Sequence, residues 1–126
     1  MPLYISLDGD DIGNKIARGY LENNEENLVK IIQDLDRILT QICEYLKKLE
    51  FEIIFCAADG VACKGSNVEV ESFARYIESI GKPHYTFSAG IGNDLKSSFF
   101  SLKYAKALGK NKVVICEDGK QFRVIT

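Results

Sequence analysis

The sequence predicts an α+β domain of the split βαβ, ferredoxin-like kind, with a mostly antiparallel sheet and helices packed on one face. Three observations predict it. Apolar and polar residues alternate in short strand-length runs at Leu3–Asp8 and His84–Ile91. Between them, apolar residues from Leu28 to Leu49 keep a three- and four-residue spacing that marks one long helix. Asp59-Gly60 then falls between two apolar runs, the strongest short-range hairpin signal because both residues tolerate positive φ.

In the first strand, Leu3, Ile5 and Leu7 are expected to face the core, with Tyr4, Ser6 and Asp8 on the other surface. A short turn or helix and a polar stretch around Glu22–Glu26 lead into the long helix, which at about 1.5 Å per residue spans some 35 Å. Phe51–Ala58 is nearly continuous in apolar residues and reads as a central strand covered on both faces. A two-residue turn at Asp59-Gly60 would set Cys56 opposite Cys63. Glu69–Ile80 reads as a second helix, closed by Gly81 and followed by Pro83.

In His84–Ile91, Tyr85, Phe87, Ala89 and Ile91 share one face, while Thr86, Ser88 and Gly90 share the other. Asn93 or Asp94 caps a third helix whose expected buried stripe is Leu95, Phe99, Leu102 and Ala105, with Gly109 as its stop. Lys112–Cys116 and Phe122–Ile125 end the chain as strands around Asp118-Gly119. No linker or repeat divides residues 1–126, so one domain is expected. Its open face would carry Tyr4, Ser6, Asp8, Thr86 and Ser88.

Composition excludes several classes. With 46% hydrophobic residues and a net charge of −2, the chain is no disordered segment. Its 16 Lys and Arg are outweighed by 18 Asp and Glu, so stable nucleic-acid binding is not expected. No apolar run approaches the roughly 18 residues of a membrane span, and Met1 leads straight into strand-like sequence, which predicts a cytoplasmic protein without membrane contact. Cys43, Cys56, Cys63 and Cys116 show no zinc-ligand spacing with the single His84 and read as small buried hydrophobes.

The chemistry concentrates in Asp8-Gly9-Asp10-Asp11-Ile12-Gly13, three carboxylates in four residues at a strand end. Two carboxylates about 4 Å apart repel by roughly 4 kcal/mol at an effective dielectric of 20, so a fold tolerates them with a cation, a proton or full solvation. A helix-loop-helix calcium site fails: a strand precedes the acids, Ile12 stands where an oxygen ligand is needed, and Gly19 replaces the closing Glu. Alone, Asp59 is a turn residue. The split βαβ topology, however, brings the first strand and the hairpin together, so Asp8 and Asp59 can share a cation such as Mg²⁺. Lys96, Lys103, Lys106 and Lys110 fall on one stripe of the third helix, either a solvated face or a holder of phosphates. The backbone N–H groups of Asp10–Gly13 would cradle phosphate if they open a helix.

These segments, with Ala57-Ala58-Asp59-Gly60, Phe87-Ser88-Ala89-Gly90-Ile91-Gly92 and Ala105-Lys106-Ala107-Leu108-Gly109-Lys110-Asn111, resemble the palm domain shared by GGDEF-type dinucleotide cyclases and the polymerase subunit of type III CRISPR complexes. At this length the chain most resembles the minimal CRISPR polymerase (mCpol) family. The resemblance implies that Asp8, the Gly9 carbonyl and Asp59 hold Mg²⁺ or Mn²⁺, with Asp8 and Asp59 catalytic. It further implies that Asp10, Asp11, Ile12 and Gly13 form the triphosphate turn, that Lys106 and Lys110 contact phosphates, and that Ser88 and Lys103 lie in the nucleotide site. Two departures stand out: Ala57 and Ala58 replace two glycines, and Gly60 replaces the second hairpin acid, leaving Asp10 or Asp11 as substitutes for the base.

The implied activity is nucleotidyl transfer from ATP, alone or with a second NTP, into a cyclic di- or oligonucleotide messenger. The implied setting is antiviral signalling through a homodimer and a separate effector that reads the product. Two rival readings accompany it. Tyr4-Ile5-Ser6-Leu7-Asp8-Gly9-Asp10 also fits the opening of a haloacid-dehalogenase-type phosphohydrolase with Asp8 as nucleophile, which requires a parallel sheet. A palm lacking one acid could instead be a non-catalytic nucleotide-binding module.

Overall fold

A computed structural model describes residues 2–57, 59–119 and 121–126. Among them run β1 (Leu3–Gly9), α1 (Ile12–Leu21), α2 (Glu25–Lys48), β2 (Glu52–Ala57), β3 (Gly60–Gly65), α3 (Val70–Ile80), β4 (Phe87–Gly92), α4 (Leu95–Ala107), β5 (Val113–Glu117) and β6 (Gln121–Val124). Helix starts are set by side-chain caps where the sequence supplies them. Asn24 accepts from Asn27 N–H at α2, Glu69 accepts from Ser72 N–H at α3, and Asp94 forms a reciprocal capping box with Ser97 at α4.

The six strands form one sheet in the order β2-β3-β1-β4-β5-β6. Only β4 and β5 are parallel; the other pairs are antiparallel. The mixed α+β class and the mostly antiparallel sheet match expectation. Because β1 is antiparallel to both β3 and β4, the parallel-sheet phosphohydrolase reading is excluded. On one face, Ile5, Leu7, Ala89 and Ile91 meet Leu35, Ile38, Ile42 and Leu46 of α2 and Phe73 and Ile77 of α3, all buried in one core.

Four details differ from the sequence reading. First, β2 is an edge strand, not a central one, because β1 takes β3 rather than β2 as its hairpin neighbour. Second, the hairpin ladder closes with Ala57 opposite Gly60, one residue earlier than expected, so Cys56 faces Val61 and Ile53 faces Cys63. Residue 58 lies outside the described residues.

Third, α4 lies on the opposite face of the sheet from α2 and α3. Gly90 permits it: a Cβ there would come within 2.2 Å of the Leu102 backbone nitrogen. Ser6 and Ser98 hydroxyls hydrogen-bond across this layer at 2.8 Å. The expected open face is therefore largely covered, and β4 is buried along its whole length. Fourth, this close approach sets the phase of α4. Ser98, Ser101, Leu102 and Ala105 are buried, while Leu95 and Phe99 stay half exposed.

Candidate active site

The register brings the acids together. Asp8 stands opposite Gly60 of β3 on one side and Ser88 of β4 on the other. One residue on, the Gly9 N–H donates to the Asp59 carbonyl at 2.9 Å, tying the hairpin tip to the end of β1. Asp8 and Asp59 thus meet through β3, the hairpin strand that pairs with β1.

Asp10 turns inward. It is 3% exposed and accepts from Thr86 Oγ1 at 2.7 Å, Ser88 Oγ at 2.8 Å, Asn111 N–H at 2.8 Å and Lys106 Nζ at 2.8 Å. Burial by itself would raise its pKa, but hydrogen bonds from Lys106, Thr86, Ser88 and Asn111 outweigh that and hold it below the usual range. Asp10 is accordingly an ionised strut with all its oxygen directions taken, so it does not serve as the substitute base. Ser88, fully buried and bonded to it, does not face a ligand.

Asp8 has the opposite environment. Burial pushes its carboxyl above the ordinary value, and Asp59 and Asp10 add to the push against the opposing pull of Lys106. Its Oδ1 is buried and accepts no well-aligned hydrogen bond, although the Lys106 ammonium lies 2.7 Å away. That ammonium also donates to the Gly9 carbonyl at 2.9 Å. Burial would lower the Lys106 pKa; Asp10 and Asp8 overcome this and raise it. A single positive charge therefore occupies the point where Asp8 and the Gly9 carbonyl converge.

No cluster of three His, Cys, Asp or Glu side chains arranged for a metal occurs among the described residues. Two carboxylates, Asp8 and Asp59, and the Gly9 carbonyl could instead hold a cation together. That matches Mg²⁺ or Mn²⁺, which take one or two carboxylates and complete their shell with water and substrate phosphates. Asp8 Oδ1 and the Gly9 carbonyl both converge on the Lys106 ammonium, and this point, where a cation already sits, is the observation that fits such an ion.

Asp11, in the left-handed region at φ 58°, precedes α1 without capping it and pairs with Lys110. The first backbone bond of that helix is Lys15 N–H to the Asp11 carbonyl, so the N–H groups of Ile12, Gly13 and Asn14 have no partner within the helix. Ile12 itself is buried and Gly13 exposed.

The lysines do not form one stripe. Lys106 enters the acid cluster, and Lys110 lies past the end of α4 at φ 68°. Lys96 and Lys103 sit over the Phe100 and Phe99 rings, at 5.8 and 5.2 Å from their centroids. Sequence reasoning missed Thr86 and Asn111 as partners of Asp10, although alternation placed Thr86 on one face with Asp8 and Ser88 and Asn111 stood in a marked motif. It also missed Phe55, which lines a cleft of about 380 Å³ with Asp8, Asp59, Leu95 and Phe99.

Comparison with known proteins agrees with this fold. The model of the minimal CRISPR polymerase domain, mCpol, matches residues 4–116. No curated protein matches the chain in sequence. Among solved structures, the Csm1–Csm4 cassette in complex with cA4 is similar at a TM-score of 0.70 and 16% identity over 95% of this chain, which spans 22% of that one. The active GGEEF domain of a diguanylate cyclase from Vibrio cholerae gives 0.65 and 18%, covering 91% of this chain and 83% of its own. The GGDEF domain of DgcB from Caulobacter crescentus, in complex with c-di-GMP, gives 0.66 and 12%, covering 90% and 77%.

Proposed function

The chain belongs to the minimal CRISPR polymerase domain family, and on that premise we propose that it is a nucleotidyltransferase joining ATP, alone or with a second NTP, into a cyclic di- or oligonucleotide. The observation that carries this is the convergence of Asp8 Oδ1 and the Gly9 carbonyl on one cationic point, with the Asp59 backbone tied to Gly9 beside it. Asp8, the Gly9 carbonyl and Asp59 would hold Mg²⁺ or Mn²⁺. Such ions, when bound, activate the attacking ribose hydroxyl and neutralise charge on the α-phosphate and the leaving pyrophosphate.

The chain's own residues do the rest. The uncapped start of α1 offers backbone N–H groups of Ile12 and Gly13 to the triphosphate, aided by the positive end of the helix dipole. Lys110, held by Asp11 at the surface, is free to exchange that partner for a phosphate. Lys106 keeps Asp8 and Asp10 apart electrically and orients the Gly9 carbonyl. Asp10 fixes the turn by binding Thr86, Ser88 and Asn111 at once.

One site holds one donor nucleotide, so cyclisation of two nucleotides calls for a homodimer with its sites opposed. A separate effector would read the product, in a cytoplasmic, antiviral setting. No helix among the described residues is long and apolar enough to cross a membrane.

One observation favours a second reading. With Gly60 in place of an acid and the Lys106 ammonium against Asp8, the site also suits a module that binds nucleotide without turnover. Incubation with each NTP and Mg²⁺ or Mn²⁺ separates the two: pyrophosphate and a cyclic product by mass spectrometry support the transferase, while stoichiometric retention without pyrophosphate supports the binding module.

A further inference from the structure

The cleft beside the acids is built by two departures from regular structure. In β2 the register shifts between Ile53, opposite Cys63, and Phe55, opposite Ala62. Plain alternation from Ile53 would put Ile54 opposite Ala62 and turn Phe55 to the core face with Val61. The bulge instead sets Phe55 beside Ala62, whose other neighbour is Ser6, and so on the same face as Asp8. Bulges commonly re-aim a side chain next to a functional site.

The second departure is the close seating of α4 on Gly90. It buries Ser98 and Ser101 and leaves Phe99 out of the core. Phe55 and Phe99 are 53% and 48% exposed, although both line the same cleft as Asp8 and Asp59. The rest of the apolar lining combines Ala57, Gly60 and Ala62, none reaching beyond a methyl group, with Leu7, Val61, Leu95 and Leu102. Ser6, the remaining polar side chain of the wall besides the acids, is already bonded to Ser98. At about 380 Å³ the cleft falls within the roughly 300–1,000 Å³ range of small-ligand sites.

We infer that this cleft is the nucleobase subsite, with Phe55 and Phe99 stacking on the base of the nucleotide whose phosphates meet the Asp8–Asp59 site. The inference rests on the nucleotide-transfer reading above. Its chemistry is specific: two half-exposed aromatic rings, an otherwise aliphatic lining and no free hydrogen-bonding side chain besides the acids suit a flat ring with apolar faces. The base is held by stacking, and the phosphates by the neighbouring acids through the cation. Base–aromatic stacking of this kind tolerates any base because each has a π face.

The test compares Mg²⁺–ATP with Mg²⁺–tripolyphosphate, which has the phosphates but no base, by calorimetry. Phe55→Ala and Phe99→Ala are expected to weaken ATP binding about tenfold or more and to leave tripolyphosphate binding unchanged. The chain contains no Trp, so Phe99→Trp supplies a unique fluorophore. Its emission should be quenched by ATP but not by tripolyphosphate. Unchanged ATP affinity in both alanine variants, or an indole that ATP does not perturb, overturns the subsite. Wild-type protein that binds tripolyphosphate as tightly as ATP also overturns it, yet leaves the acid site intact. Wild-type protein that binds neither removes the nucleotide reading itself, and the subsite with it.

Discussion

Lys106 Nζ lies 2.7 Å from Asp8 Oδ1 and 2.8 Å from Asp10 Oδ1, so one ammonium serves two carboxylates of opposite character. Asp10 is saturated with hydrogen bonds, whereas the half-buried Asp8 carboxylate is paired with the Lys106 ammonium. The first acid holds the turn, and the second is left with capacity for an ion. The two carboxylates should therefore respond differently to mutation.

Asp8→Asn removes a ligand and relieves a half-buried negative charge beside Asp59 and Asp10. Product formation should fall by more than about a hundredfold, while the Tm stays level or rises. Nucleotide turnover and thermal unfolding, measured on the same preparation, check both halves. A large Tm loss would show that Asp8 is structural.

Asp10→Ala leaves Thr86, Ser88, the Asn111 N–H and the Lys106 ammonium without their shared acceptor. The expected cost is about 3 kcal/mol, read as a Tm drop of roughly 10 °C in a domain of this size. Chemical denaturation against wild type measures it, and a change under about 0.5 kcal/mol would contradict the strut role.

Gly90→Ala tests the seating of α4. A Cβ would come within 2.2 Å of the Leu102 nitrogen and 2.3 Å of the Ser98 carbonyl oxygen, both backbone atoms without room to yield. Overpacking of at least about 1–3 kcal/mol is expected, with loss of activity because α4 carries Lys106. Circular dichroism melting and turnover together report it. Wild-type values for both would contradict the close layer.

A pH dependence arises away from the acids, at Asp34. Lys30, Tyr85 and Arg37 donate to its carboxylate at 2.7, 2.8 and 3.2 Å and hold its pKa down to about 2, Lys30 and Tyr85 contributing most. Because the folded pKa lies below the unfolded value near 4, the stabilisation is present above about pH 4 and is lost as pH falls toward 2. Tyr85, pushed up to about 12 by burial and by Asp34, stays a donor throughout. Acid unfolding of Asp34→Asn should show a shallower loss of stability over that window than wild type; parallel curves would contradict the linkage.

The features legible in sequence were those set by local pattern. The alternation of β1, the periodicity of α2, and the cap at Asp94 are written within a few residues of where they act. Asp8 and Asp59 were legible because a strand end and a hairpin tip are local features. What was not legible depends on contact between distant segments. The phase of α4 follows from Gly90, and no residue within α4 reveals that Phe99 is displaced and Ser98 buried. The bulge at Ile54 carries no Gly or Pro to announce it. The saturation of Asp10 needed Thr86 and Asn111, seventy-six and more residues away.

The most direct test of the central claim is a single assay of purified protein with each NTP and Mg²⁺ or Mn²⁺, following pyrophosphate and resolving products by mass, with Asp8→Asn beside wild type. The account predicts stoichiometric pyrophosphate and a cyclised nucleotide from wild type, dependent on the metal, and neither from the variant. Equal turnover by both proteins, or wild-type protein that neither binds nor converts any NTP, would contradict it.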